Sequence, residues 1–254
     1  MKKVTFLLFA ASLLPSCVLA WNTPGEDFRG GLKLEGPVTS TRNPWVWKTG
    51  QENESLEVKQ GHGVRNGTRG LSVSLPALTV LLGKTTLTTP AGREGLSPRV
   101  SYGKGAEGFS LAWTAPGMAE VTLPVTGDNN LRVGTFIFRM QAAGVLRYVQ
   151  RGQPVYVGVY DDLSVNGLPD ESTVMKPSVT PGVLQKMFSG EGPVWLKTMT
   201  LSGYSGVSHF SDASLRQVEG AYGAQTVAGS GELRLNGAMP ERWRVSLPVS
   251  VEYQ

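Results

Sequence analysis

Several short motifs in this 254-residue chain carry residue types that chemistry uses. Gly103-Lys104-Gly105-Ala106-Glu107-Gly108 matches the G-x-G-x-x-G of dinucleotide sites, where glycines let the backbone approach a pyrophosphate. That chemistry needs a helix after the last glycine. Phe109-Ser110-Leu111-Ala112-Trp113, followed by Pro116, reads as strand instead, so the motif is read as a turn. Gly83-Lys84-Thr85 has the ending of a phosphate-binding loop, but the loop's first glycine would fall at Leu78, and no backbone nest can form. Gly203-Tyr204-Ser205-Gly206 would be a nucleophile elbow only with a glycine at 207, where Val207 stands. His62 and His209 have no second ligand at a metal-like spacing, and nothing local supplies the base and orienting acid of a triad. Both read as loop residues. Asp161-Asp162 reads as a solvated turn rather than a catalytic acid pair. Asn53-Glu54-Ser55 and Asn66-Gly67-Thr68 fit glycosylation sequons, a weak signal in a polar surface chain. No enzyme, cofactor or metal site is expected.

The chemistry that remains is that of the main chain. In Glu241–Gln254, period two places Trp243, Val245, Leu247, Val249, Val251 and Tyr253 on one face. Arg244, Ser246, Pro248, Ser250 and Glu252 fall on the other. The pattern predicts a half-buried strand of about a dozen residues, about 40 Å long. Pro248 has no N–H, which suits an edge or a bulged strand. One reading is an ordinary terminal strand of a sandwich. The other is an edge that a second polypeptide must cover, because a long apolar edge left open invites aggregation. Near the other terminus, Phe28, Gly30, Leu32, Leu34, Gly36 and Val38 also share one face, opposite Arg29, Lys33 and Glu35. Its glycines weaken this strand as a free-standing one and suit a place where another wall comes close.

The elements that position these ends begin with an export signal. Lys2-Lys3, an apolar run from Val4 to Leu14 and Val18-Leu19-Ala20 before Trp21 make a secretory signal peptide cleaved after Ala20. The run is too short to span a bilayer, and nothing later approaches about 20 apolar residues. A second reading is lipoprotein processing at Cys17 within Leu14-Pro15-Ser16-Cys17, against which the proline counts. Cleavage after Ala20 leaves no cysteine, and a chain of this size buries a core without disulfides. It also removes two of the charges behind a formal balance of only +4, so no basic surface for nucleic acid is expected.

With 32 glycines, 16 prolines and 17% charged residues, the chain reads as all-β. Trp45-Val46-Trp47 puts two indoles on one face, a core position rather than a sugar platform. Gln51 to Arg69 reads as a long surface loop. Strands are expected at Leu71–Leu75, Leu78–Leu82, Arg99–Tyr102, Ser110–Trp113, Glu120–Val125, Arg132–Gln141, Pro154–Tyr160, Ser214–Gln225 and Glu232–Leu235. Gly127-Asp128-Asn129-Asn130 and Gly229-Ser230-Gly231 are turns. Thr180–Phe188 reads as a short helix, with Thr180 as N-cap, Pro181 at its first position and Val183, Leu184 and Met187 as its apolar stripe.

Taken together, Trp21, Asp27-Phe28-Arg29-Gly30, Trp45-Val46-Trp47, Leu81-Leu82-Gly83-Lys84, Thr89-Pro90, Ser101-Tyr102 and Trp243–Tyr253 suggest a family. The chain resembles the fimbrial (pilus) subunits of the bacterial chaperone–usher pathway, in the kappa class that includes enterotoxigenic adhesive fimbriae. The matches cover both ends and the first third and thin out between Gly127 and Phe210. Tyr253, next to the last residue of an alternating strand, is the most specific of them. The resemblance implies an incomplete immunoglobulin-like β-sandwich with a short helical insertion, completed by a strand from a chaperone or a neighbouring subunit. It divides the chain into a signal peptide (1–20), a donor-strand extension (21–40) and a pilin domain (41–254). Phe28, Gly30, Leu32, Leu34, Gly36 and Val38 would form the donor strand. Trp243, Val245, Leu247, Val249, Val251 and Tyr253 would line the acceptor groove and chaperone edge.

The implied partners are a periplasmic pilus chaperone, an outer-membrane usher and other fimbrial subunits, with localisation through the periplasm to a surface fimbrium. A minor structural subunit is preferred, since the region of a sugar-binding insertion is where the match is weakest. The alternatives are a glycan-binding major subunit, with Trp45, Trp47, Trp113 and Trp195 as stacking surfaces for a host glycan, and a secreted or lipid-anchored hydrolase. Mass spectrometry of the exported protein should give a chain beginning at Trp21. A lipid-modified Cys17 would show the anchored form instead.

Overall fold

Runs of β-branched and aromatic residues, broken by glycine and proline, form fourteen strands and one α-helix among the described residues of the computed structural model. Those residues are 42–50, 55–58, 64–65, 68–128, 130–238 and 240–254. The signal segment, the candidate donor residues Phe28 to Val38, Asn53, His62 and Asn66 lie outside them. The strands are β1 (Trp45–Lys48), β2 (Val64–Arg65), β3 (Thr68–Val73), β4 (Thr79–Thr85), β5 (Thr89–Ala91), β6 (Pro98–Tyr102) and β7 (Ser110–Ala115). They continue with β8 (Met118–Thr126), β9 (Arg132–Gln150), β10 (Gln153–Tyr160), β11 (Gly203–Gly206), β12 (Arg216–Thr226), β13 (Gly231–Leu235) and β14 (Val249–Tyr253). The helix, α1, is Thr180–Phe188.

Strand β9 joins the two halves of the architecture. Its first half lies between β8 and β13, with Phe136 opposite both Leu123 and Leu233. Its second half lies between β10 and β12, with Leu146 opposite both Val157 and Gly220. Beyond β12 come β4 and then β1, and beyond β13 come β3 and β2. The result is an all-β, immunoglobulin-like sandwich with a short helical insertion. Strand β14 pairs only with β6, in a two-stranded sheet of its own.

The strand reaches 19 residues, where Arg132–Gln141 was expected, because its continuation is apolar on both faces. Ala142 and Leu146 point into the main core with Val121, Val125, Phe138, Met140, Tyr222 and Leu233. Ala143 and Val145 point the other way, into a second core with Leu184, Met187, Phe188, Leu196, Met199 and Leu201. Small residues let the helix come close: a Cβ at Gly223 would sit 2.7 Å from Met187 Sδ and 3.0 Å from Leu184 Cδ2. Inside the main core, Tyr102 and Tyr222 share a hydrogen bond of 2.8 Å, and the Tyr222 hydroxyl donates to Gly167 O at 2.6 Å. Burial pushes both phenols above their usual range.

Three local expectations are corrected. The N-cap of α1 is Val179, and Thr180 is buried inside the first turn, its hydroxyl donating to Lys176 O at 3.0 Å. Pro181 occupies the first turn as expected, and the buried stripe is Leu184, Met187 and Phe188, with Val183 half-buried. The segment 51–69 is not all loop, since Val64 pairs with Arg69 and Arg65 with Thr68. Two residues, Asn66-Gly67, separate those partners in sequence, a pair that favours tight hairpins. Finally, the terminal ladder covers only Val249–Tyr253; before it, Arg244 makes a single bridge to Thr126. Leu184→Ala should cost about 2–5 kcal/mol, because the fully buried side chain seats α1. Urea unfolding of the two proteins checks it.

Candidate functional site

The small β14–β6 sheet treats its two edges differently. On the β6 edge, the Tyr102 backbone N–H donates to Asn166 Oδ1 at 2.7 Å, and Asn166 Nδ2 donates to Tyr102 O at 3.0 Å. Gly167 N–H donates to Val100 O at 3.0 Å. The amide of Asn166 thus stands where a neighbouring strand would be and pairs the Tyr102 end of that edge. Asp161 holds the loop in place by accepting from Leu163 and Val165 N–H at 3.0 and 2.9 Å. Desolvation raises its pKa, with those bonds opposing. On the β14 edge no strand is paired among the described residues, and between Arg244 and Val249 the chain is in no ladder.

The apolar face of this segment is only half covered. Trp243, Val245, Leu247, Val249 and Val251 pack against the main core while each stays partly exposed. Trp243 lies 5.6 Å from Phe136, centroid to centroid. Their alternation follows the period read from the sequence. Strand β1 pairs with β4 and shares no ladder with β14 among the described residues. Its Trp45 is buried, and Trp47 stacks on it with ring centroids 5.1 Å apart and planes 14° apart.

Two sets of hydrogen bonds join the β1 end of the chain to the end of β14. The Trp47 indole N–H donates to the Tyr253 hydroxyl at 2.7 Å. Desolvation raises the Tyr253 pKa and the Trp47 bond lowers it in part. The residues Gly95–Ser97 join the same two strands. Asn43 Nδ2 donates to Gly95 O at 2.7 Å and Trp45 Nε1 to Leu96 O at 3.0 Å. Gly95 N–H donates to Gln254 O at 2.9 Å, Gln254 N–H to Ser97 O at 3.1 Å, and the Ser211 hydroxyl to Gln254 O at 3.2 Å.

A family described as "Fimbrial, major and minor subunit" matches the chain over residues 1–254. The chain belongs to that family. This fimbrial subunit is 82% identical to the K88 minor fimbrial subunit FaeI of Escherichia coli, over 254 residues and 100% of each chain. It is a minor structural subunit of a surface fimbria, in a class of proteins that build rather than catalyse.

Other candidate positions of the fimbrial subunit sort as follows. Gly103, Gly105 and Gly108 all have positive φ in a turn before β7, and Gly83-Lys84-Thr85 lies within β4. Among the four tryptophans weighed as sugar platforms, Trp45 is core and Trp47 is stacked and hydrogen-bonded. Trp195 packs on Tyr156 at 5.7 Å under the helical insertion, and Trp113 packs on the main core from β7.

His209 is placed in a 3-10 turn, Val207–Ser211, rather than a loop. There it has the neighbours that sequence spacing did not supply: Ser205 Oγ against Nδ1, and Asp212 Oδ2 at 3.0 Å from Nε2. Ser214 first and His209 second hold the Asp212 carboxyl below its usual range. The row is exposed, and neither principal cavity includes any of its residues. Asp162 accepts from Ser208 N–H at 2.9 Å, so the Asp161-Asp162 pair fixes loops rather than forming an acid pair. Sequence reading missed Asn166 and Gly95–Ser97, which lie far along the chain from the strands they hold. Asn166→Ala strips Tyr102 of both bonds and should cost about 1–3 kcal/mol. Urea unfolding gives the cost, and light scattering should show new self-association through the uncovered edge.

Proposed function

We propose that this subunit enters its fibre by donor-strand exchange, taking one extended strand of a partner into the space between β1 and β14. The observation that carries the reading is the asymmetry of the β14–β6 sheet: one edge is closed by Asn166, while the other is unpaired over a half-buried apolar face. A strand laid there satisfies the open backbone groups. Its alternate side chains would complete the cover over Trp243, Val245, Leu247, Val249 and Val251. Each large apolar side chain so buried contributes about 1.5–3 kcal/mol, and each main-chain hydrogen bond about 1 kcal/mol net.

The strand that fits has apolar residues at every second position and small residues where the walls come close. The chain's own 21–40 segment has that composition, with Phe28, Leu32, Leu34 and Val38 alternating about Gly30 and Gly36. In this account residues 1–20 direct export, 21–40 are given to the next subunit, and 41–254 form the receiving domain. A periplasmic chaperone lends the first strand, and an outer-membrane usher is where a subunit's segment replaces it, on the way to the cell surface. The likeness to a K88 minor fimbrial subunit supports this path over a glycan-binding one. The packing of Trp45 and Trp47 against each other and the core points the same way.

Leu247→Asp puts a charge in the middle of the receiving face, whereas Ser246→Asp changes the opposite, exposed face. Immunoblots of fibres sheared from the cell surface should lose the Leu247→Asp subunit and keep the Ser246→Asp one. Normal incorporation of both overturns the proposal.

A further inference from the structure

We propose that an incoming strand is held by its main chain through Leu247, Val249, Val251 and Tyr253, and that this row demands an N–H from each inward-facing residue of the strand. Outward-facing residues are free of that demand. This rests on the receiving role proposed above. It deepens that role by naming the main-chain groups that do the holding and the kind of sequence they accept.

In an antiparallel ladder, pairs that exchange both main-chain bonds alternate with pairs that exchange none. At the end of β14, Gln254 N–H donates to Ser97 O at 3.1 Å and Ser97 N–H to Gln254 O at 3.4 Å, so this pair is of the first kind. Counting back through the register, Glu252 with Arg99 and Ser250 with Ser101 are of the same kind. Pro248 O accepts from Gly103 N–H at 2.8 Å, and Arg244 exchanges bonds with Thr126. All of these bonds to the rest of the domain come from even-numbered residues. The main-chain groups of Leu247, Val249, Val251 and Tyr253 turn the other way and meet no partner among the described residues. Strand β6 agrees with this order. Val100 and Tyr102, which stand opposite Val251 and Val249, turn their own groups away to Gly167 and Asn166.

Pro248 therefore belongs to the bonded side. The donor it lacks would face Gly103 O, which already accepts from Ala106 N–H at 3.0 Å, and the open row keeps all its N–H groups. The free edge of β1 is poorer. Thr86 N–H donates to Pro44 O at 2.9 Å, so by the same alternation Val46 and Lys48 turn to β4, and only Trp45 and Trp47 turn out. The Trp45 N–H is already taken by Asn43 Oδ1 at 3.0 Å. The main-chain hold on a strand thus falls to the β14 side.

Directly opposite residues of an antiparallel pair carry their side chains on the same face. Leu247, Val249 and Val251 pack inward, so the residues that bond them are the inward ones of the incoming strand. A proline at such a residue removes a donor from the row, and a proline at an outward residue does not. The 21–40 segment meets this condition. Between Phe28 and Val38 its one proline is Pro37, on the face opposite Phe28, Leu32, Leu34 and Val38. In a parallel pair the outward residues would supply the bonds, and Pro37 would interrupt them.

The test refolds the full mature chain from urea with an excess of a fluorescent peptide of residues 21–40. Retention is followed by polarisation during chase with unlabelled peptide. Two further peptides carry an ester oxygen in place of one amide N–H, at Leu32 or at Lys33, with the side chains unchanged. The ester at Leu32 should shorten retention about tenfold, and the ester at Lys33 should leave it unchanged. As a second measurement, amide exchange in the bound, unaltered peptide should be slow at Leu32 and fast at Lys33. Equal shortening by the two esters overturns the proposed row, as does exchange no slower at Leu32 than at Lys33. Failure to retain the unaltered peptide overturns the receiving role itself.

Discussion

A strand edge is a row of alternating donors and acceptors, and buried ones must be paired. The structure turns on how that demand is met along β6 and β14. A side-chain amide, Asn166, supplies one donor and one acceptor to Tyr102 and ends the sheet on that flank. Among the described residues the opposite flank has no such device, and the residues beneath it are left partly exposed. The proposed function reads that asymmetry as room for strand addition on the open side. Membership in the fimbrial subunit family gives that arrangement its setting.

The rest of the molecule backs the open side with a packed core. Strand β9 belongs to both halves of the sandwich, so the main core is continuous beneath the receiving face. Its second half is buried on both faces because α1 and the residues after it cover the far side with Leu184, Met187 and Phe188. The helical insertion therefore adds a second core instead of disturbing the first. On the proposed function, a face backed by this core keeps part of its apolar surface in place before a strand arrives, which lowers the ordering cost.

What was legible in the sequence followed from period and composition. The alternation from Trp243 to Val251 was visible because burial on one face imposes a period of two whether or not the strand has found its partners. For the same reason the ladder was overestimated: alternation reports a face, not a hydrogen bond, and only Val249–Tyr253 are paired. The extra length of β9 was hidden because Ala142–Leu146, buried on both faces, does not alternate. Thr180 had the chemistry of a cap, yet burial drew its hydroxyl back to Lys176 O. Asn166, the Gly95–Ser97 bridge and the acid beside His209 had no sequence signal, since each acts by tertiary placement.

The bridge at Gly95–Ser97 also bears on how the subunit carries a load. The first described segment hangs on these residues through Asn43 and Trp45, and the last strand hangs on them through Gln254. One route from Asn43 to the end of β14 thus crosses only a handful of bonds, and none of them belongs to α1, β9 or β10. The same first segment is also held by the β1–β4 ladder, so a pull on it is shared between the main sheet and the last strand.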